Sequence, residues 1–368
     1  MGARVVDHNV HGLVTVRLVD PPPEMVQHLV DVIGPSVGPP RDPDITVSFV
    51  DRFPTTPRLR VLNAREVAYD EEHFYVIGDR GLRSRVDIAG LGEATDIVCE
   101  RGVTQVPLLL GVLGLRLLEQ EHVLLHSAAF EFADRCVVVV GWKKGGKTET
   151  LLPFLAAGAR HLSDEWSIVS PEGVVYGLPG RLQLWSWHLR QLPAFWSRVP
   201  ARDRRRLRVL RAYQRAHRLL PTSRRSGPMA RLLAGLAAEG GNATLGQARA
   251  MPEELVGDRV RRTPARIDVV LLAGVSPEPQ CRVIPAEPEL VAQRMAASLA
   301  YERQPLLTAY EQFRFAFPSR SNPLVDSARV REEAILRRAL AGRAAYEVVH
   351  PYPVRLHDVY EAVRPFVS

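Results

Sequence analysis

Apolar positions along this chain follow two different periods, and the changes between them divide it into elements. Short β-branched or aromatic runs bounded by turn residues predict strands over 14–19, 45–50, 73–77 and 86–88, with one helix over 24–33. Prolines at 21–23 and at 39, 40 and 43 mark loops. An apolar helix over 106–118 leads into a strand over 123–125. The run Cys136-Val137-Val138-Val139-Val140 has the length and composition of a buried strand. Leu151, Leu152, Leu155 and Ala156 then recur at helical spacing until Gly158 stops the helix, with Pro153 inside it as a source of a kink. A further strand is predicted over 160–169, a mostly helical, charged insertion over 188–262, and a buried strand over 267–273. Helices over 287–301 and 329–342, a strand over 346–349 and a helix over 357–367 complete the chain. This order predicts a small N-terminal α+β domain over 1–103 and an α/β nucleotide-binding domain with a mixed sheet over 104–368.

Between the valine strand and its helix lies Gly141-Trp142-Lys143-Lys144-Gly145-Gly146-Lys147-Thr148, which has the form G-x-x-x-x-G-K-T. In such a loop backbone N–H groups wrap phosphates, the lysine reaches the outer phosphates and the hydroxyl holds Mg²⁺. The strand before it and the helix after it supply the context that gives the motif meaning. All three lysines of the chain fall in this segment, while every other strong base is arginine. A compact ammonium on a flexible stem suits the loop where a planar guanidinium is too bulky.

The 368 residues are 46% hydrophobic and 24% charged, as in an ordinary globular protein of two or three domains. No basic-apolar leader begins the sequence and no apolar run is long enough to span a bilayer, so a cytoplasmic protein without membrane attachment is expected. Cys99, Cys136 and Cys281 are too widely spaced for a disulfide framework or a thiolate zinc site and read as small buried hydrophobes. The net charge of +7 is local, because residues 198–231 contain twelve arginines against the single acid Asp203. Val209, Tyr213, Ala216 and Leu220 recur at i, i+4, i+7 and i+11, predicting a helix with one apolar stripe that Pro221 ends. The arginines between Arg202 and Arg225 would face an anionic partner or simply water; no nucleic-acid motif accompanies them. Trp185 and Trp187 would share one face of a strand, with core packing favoured over a stacking platform.

Three groups near the loop carry candidate chemistry. Asp164 and Glu165 follow Lys147 across one helix and a turn, which can return a carboxylate to the γ-phosphate and Mg²⁺. His126 lies on a strand expected to pair with the one feeding the loop, where its ring could position a carboxylate or contact phosphate.

These spacings resemble the catalytic domain of HPr kinase/phosphorylase and its relatives, whose pattern is a histidine-bearing strand, a loop with Gly-Lys-Ser-Glu-Thr, then Arg-Gly-His and Ala-Asp-Asp. The matching residues are His126, then Gly146-Lys147-Thr148-Glu149-Thr150, Ala157-Gly158-Ala159 and Ser163-Asp164-Glu165, all within about residues 122–170. The resemblance implies a P-loop fold related to PEP carboxykinase, with ATP and Mg²⁺ as cofactors. It implies Asp164 as base for a serine hydroxyl, Thr148 and Glu165 at Mg²⁺, Lys147 on the β- and γ-phosphates, and His126 as support for the aspartate. Residues 141–149 would line the nucleotide. Glu165 in place of the second aspartate, Trp142-Lys143-Lys144 in place of small residues, and the lack of the glycine-rich segment tied to HPr handling argue against HPr as acceptor. Related kinases act on a free amino acid or the end of a biosynthetic peptide, and are often oligomeric. The expected activity is therefore phosphoryl transfer from ATP to a hydroxyl of a peptide, protein or small metabolite. A nucleotide-binding scaffold with little chemistry and an NTP hydrolase are the alternatives.

Overall fold

A computed structural model describes residues 3–39, 41–54, 58–62, 66–219 and 246–368. Among these, the protein is α/β with several sheets, two of them mixed. The first sheet joins β1 (Val5–Val10), β2 (Val14–Val19), β3 (Ile45–Val50), β4 (Arg60–Leu62), β5 (Val67–Tyr69), β6 (Phe74–Ile77), β7 (Arg83–Val86) and β8 (Thr95–Glu100). Its order is β1-β2-β3-β8-β7-β6-β5-β4, parallel at β2, β3 and β8 and antiparallel outside them. Between β2 and β3 runs the crossover helix α1 (Pro23–Ile33), which buries Met25, Leu29 and Ile33 at helical spacing. The strand predicted at 86–88 lies instead at 83–86. There Arg83 and Arg85 alternate with buried Ser84 and Val86, and arginines on the outward face hide a strand from a hydrophobic reading.

The second sheet carries the loop. After α2 (Leu109–Glu119) come β9 (Val123–His126), β10 (Ala128–Phe132), β11 (Arg135–Gly141), α3 (Lys147–Ala156), β12 (Arg160–Ser163) and β13 (Trp166–Val169). Next follow β14 (Val174–Gly177), β15 (Leu182–Trp185), α4 (Ser186–Gln191), α5 (Pro193–Arg198), α6 (Ala201–Leu219), β16 (Gln247–Ala250) and α7 (Pro252–Val256). The remaining elements are β17 (Ala265–Arg266), β18 (Val269–Val275), β19 (Arg282–Pro285), α8 (Pro288–Glu302), α9 (Gln304–Ala316), α10 (Pro323–Leu340), β20 (Ala344–His350) and α11 (Leu356–Val367). The six-stranded order is β12-β10-β11-β18-β20-β19, with β11, β18 and β20 parallel and the others antiparallel. Val137, Val139, Val269 and Leu271 face the layer containing α3 and α11, whereas Val138, Val140, Val270 and Leu272 face the one containing α8. A strand covered on both faces must be apolar at every position, which is why the valine run is unbroken.

One buried cluster takes in Val16 and Ile97 of the first sheet, Leu113 of α2, Val138 of β11 and Ile335 of α10, so the core is continuous across residue 103. Asp44 adds a polar tie, accepting from Arg116 at 2.7 Å and from the Thr15 N–H at 2.8 Å.

Two segments leave the six-stranded sheet side by side. Residues 126–128 pass from β9 to β10 and residues 163–166 from β12 to β13. Beyond this seam β9 and β13 belong to a separate antiparallel sheet ordered β17-β14-β13-β9. The Ser127 N–H donates to the Glu165 carbonyl at 3.1 Å. Hydroxyls join Ser127 to Ser167 at 2.9 Å and Ser163 to Ser167 at 2.6 Å. The single strand predicted over 160–169 is thus two, broken where Glu165 takes φ +84°. His126 likewise does not pair with the strand feeding the loop. β10 fills that place, with Ala128 opposite Val139, while His126 lies opposite Trp166. A β-pattern cannot reveal that a strand changes sheet, because the period of two continues on either side.

The insertion is partly as expected. α6 is the arginine-rich helix, but Val209 is exposed while Leu207 is buried, so the apolar stripe does not start where the spacing placed it. Leu220 and Pro221 lie outside the described residues. Several of its arginines face protein: Arg206 pairs with buried Asp203 at 3.0 Å, and Arg211 lies over the Trp196 ring at 4.5 Å. Trp185 ends β15 and Trp187 starts α4, so the two do not share a strand face; Trp187 is buried in the core. Helix α9 and the β15–β16 pairing were not expected from the sequence.

Behind the site, Arg303 and Glu332 form a buried two-pronged pair, with both N–O distances 2.6 Å. Replacing Arg303 with methionine should cost about 3–5 kcal/mol, because it strands a buried carboxylate, whereas replacing both residues with apolar ones should cost far less. Denaturant unfolding of the single and double variants checks this.

Candidate active site

Residues 141–146 open directly into α3, and their three glycines are held by sterics. A Cβ on Gly141 (φ +148°) would stand 2.5 Å from the Ala273 carbonyl oxygen. One on Gly145 would stand 2.8 Å from the Trp142 carbonyl oxygen, and one on Gly146 (φ +102°) 2.0 Å from Nε2 of His350. No side chain caps α3, so its first N–H groups are left for another acceptor. Lys147 is buried and its Nζ donates to the Gly141 and Trp142 carbonyls at 3.2 and 3.1 Å. Burial lowers its pKa, against the opposing pull of Glu165 and Asp164.

Asp164 and Glu165, adjacent in sequence, have separate partners. The Thr148 hydroxyl donates to the Asp164 carboxylate at 3.1 and 3.2 Å. Asp164 is buried, which together with the Glu165 charge pushes its pKa up to about 7. Glu165 turns the other way, and Nε2 of His126 meets its Oε2 at 3.1 Å. That bond, more than the opposing effect of burial, lowers the pKa of Glu165. The resemblance implied Thr148 and Glu165 at Mg²⁺ with His126 supporting the first aspartate; the contacts are instead Thr148 with Asp164 and His126 with Glu165. The reason is the seam, where the kink at Glu165 sends consecutive side chains in different directions.

His126 itself is fixed on three sides. Its ring stacks on Trp166 with centroids 5.0 Å apart, and Nδ1 lies 2.9 Å from Oε1 of Glu302. Burial opposes its protonation, but the two carboxylates outweigh burial and raise its pKa. Lys143 reaches Oε2 of Glu302 at 3.7 Å, and Trp142 packs on Tyr301 with centroids 4.9 Å apart. Lys144 takes a left-handed conformation, φ +62°. Glu149, expected at the nucleotide, accepts from Nε2 of buried His188 at 3.1 Å. Burial raises its pKa, and the His188 bond more than offsets this.

Tyr301, Glu302, His188 and His350 were missed by the sequence reading. Glu302 alone left a trace there: it is an acid ending an otherwise largely apolar helix, where the negative end of the helix dipole disfavours it. The others come from distant elements. No family model and no curated protein matches the chain. Among the described residues, no helix is long and apolar enough to cross a membrane.

Proposed function

We propose that this protein is an ATP-dependent kinase that transfers the γ-phosphoryl group to a hydroxyl of a peptide, protein or small metabolite, on a P-loop fold of the HPr kinase kind. The observation that carries this reading is the Thr148–Asp164 contact at 3.1 Å beside the buried Lys147. A hydroxyl and a carboxylate at this distance offer the hard oxygens that Mg²⁺ takes from protein when phosphate and water complete its shell. The ion would neutralise charge developing on the phosphates, and the uncapped N–H groups of α3 would receive the phosphate oxygens. Lys147 would exchange its two loop carbonyls for phosphate oxygens, a small movement for a flexible ammonium. Burial and the neighbouring Glu165 charge raise the proton affinity of Asp164, which suits a base for the acceptor hydroxyl. The exposed Arg202, Arg205 and Arg208 of α6 favour an anionic partner on that face.

Incubating the purified protein with γ-labelled ATP, Mg²⁺ and pools of amino acids, peptides and host extract tests the proposal. Label moving to a hydroxyl acceptor supports it. Free phosphate released without an acceptor would make the protein a hydrolase, and binding without either product would make it a scaffold.

A further inference from the structure

Three consecutive residues at the end of α8 each hold a different part of the molecule. Tyr301 packs on Trp142 of the loop, Glu302 bonds His126 and reaches Lys143, and Arg303 is locked to Glu332 of α10. The middle residue is the informative one. A carboxylate at a helix C-terminus is disfavoured by the dipole. Glu302 sits there with only 11% of its side chain exposed. It does not serve as a cap, because the α8 C-cap is satisfied by backbone carbonyls. What it does touch is the ring that holds Glu165.

The chain Glu302 Oε1, His126 Nδ1, His126 Nε2, Glu165 Oε2 is continuous at 2.9 and 3.1 Å. Stacking on Trp166 restrains the plane of the ring, but a half-turn about Cβ–Cγ keeps that plane while putting carbon atoms where Nδ1 and Nε2 stand, so stacking alone cannot aim Nε2. Glu302 supplies the missing restraint from a helix whose end the buried Arg303–Glu332 pair immobilises. Without it Glu165 would have a ring that could turn away, and its carboxylate would be free to swing toward Asp164, its neighbour in sequence. A second carboxylate there would compete for the Thr148 hydroxyl and repel the terminal phosphate.

We propose that Glu302 is a positioning residue: it fixes the His126 ring so that Nε2 keeps Glu165 clear of the Thr148–Asp164 pair. This rests on the kinase reading, and the test separates the two. ADP release from MgATP in the presence of the acceptor pool, equilibrium affinity for MgATP and thermal unfolding are measured for the full chain and for Glu302→Gln, Glu302→Asp, His126→Gln and the double variant Glu302→Gln/His126→Gln.

The expected result is a rate lowered at least tenfold in Glu302→Gln, with affinity within about threefold of the parent and a similar melting temperature. Glu302→Asp should recover part of the rate. Since Glu302 acts through His126, the double variant should be no slower than His126→Gln alone. Rate losses that multiply in the double variant, or an unchanged rate in Glu302→Gln, would overturn the proposal. If Glu302→Gln does not fold, the Glu302→Asp and His126→Gln pair decides by the same criterion. A parent protein that neither binds MgATP nor releases ADP would sink the kinase reading first, and Glu302 would lose its role with it.

Discussion

Asp164→Asn is expected to slow phosphoryl transfer by orders of magnitude and, at the same time, to make the protein more stable above neutral pH. The loss should be on the order of 10²–10⁴-fold, the usual contribution of a positioned general base. Affinity for nucleotide without Mg²⁺ should change little, because asparagine keeps the oxygen that accepts from Thr148, whereas MgATP should bind more weakly for want of a charged Mg²⁺ ligand. The stability gain follows from linkage. A carboxyl whose folded pKa stands near 7, against 3.8 in the unfolded chain, binds its proton more tightly when folded. Its contribution is complete below about pH 4 and is lost as pH rises through 7. Asparagine is neutral throughout and escapes that loss, so the variant should be the more stable of the two at pH 8, with the difference shrinking toward pH 4. Thermal unfolding of both proteins at pH 5 and pH 8 measures it. A variant that is inactive and also less stable at pH 8 would mean that Asp164 is held as a structural carboxylate.

Lys147→Ala should act on the other quantity and remove nucleotide binding itself. Lys147 is buried, it spans the turn by donating to the Gly141 and Trp142 carbonyls, and among the described residues no second ammonium is bonded to them. Charge-assisted bonds to phosphate in a partly dry site are each worth about 1.5–3 kcal/mol, so affinity for MgATP should fall by about a hundredfold or more. Lys147→Arg should not restore it, because a planar guanidinium is too wide for a loop whose glycines already approach Ala273, Trp142 and His350 within Cβ clash distance. Titration with a fluorescent ATP analogue distinguishes the two variants from Asp164→Asn. Tight binding by Lys147→Ala would remove the phosphate loop from the account.

The surface arginines show how uneven sequence information is. Composition locates the basic helix α6, yet which of its faces is buried depends on what it meets. Leu207 and Asp203 turn inward because β16 and its neighbours lie there, and Val209 is left in water. The three thiols are simpler: Cys99 and Cys136 are buried, as small apolar side chains on strands tend to be, and Cys281 is half-buried.

By itself the sequence determined what neighbours along the chain decide: the valine strand, the loop, the helix after it, and the return of an acidic pair two elements later. Those features need only local periodicity, glycine conformations and a short connection, all of which lie within about fifty residues of one another. Tertiary structure decided the rest. Whether Asp164 or Glu165 meets Thr148 depends on a kink at a seam between two sheets, which leaves the strand pattern unbroken in the sequence. Whether His126 faces the loop depends on β9 pairing with β13 rather than with β11. Glu302 joins the site from 176 residues away, by way of a helix whose position is fixed by a core and a buried ion pair, and no local pattern encodes a distance of that kind.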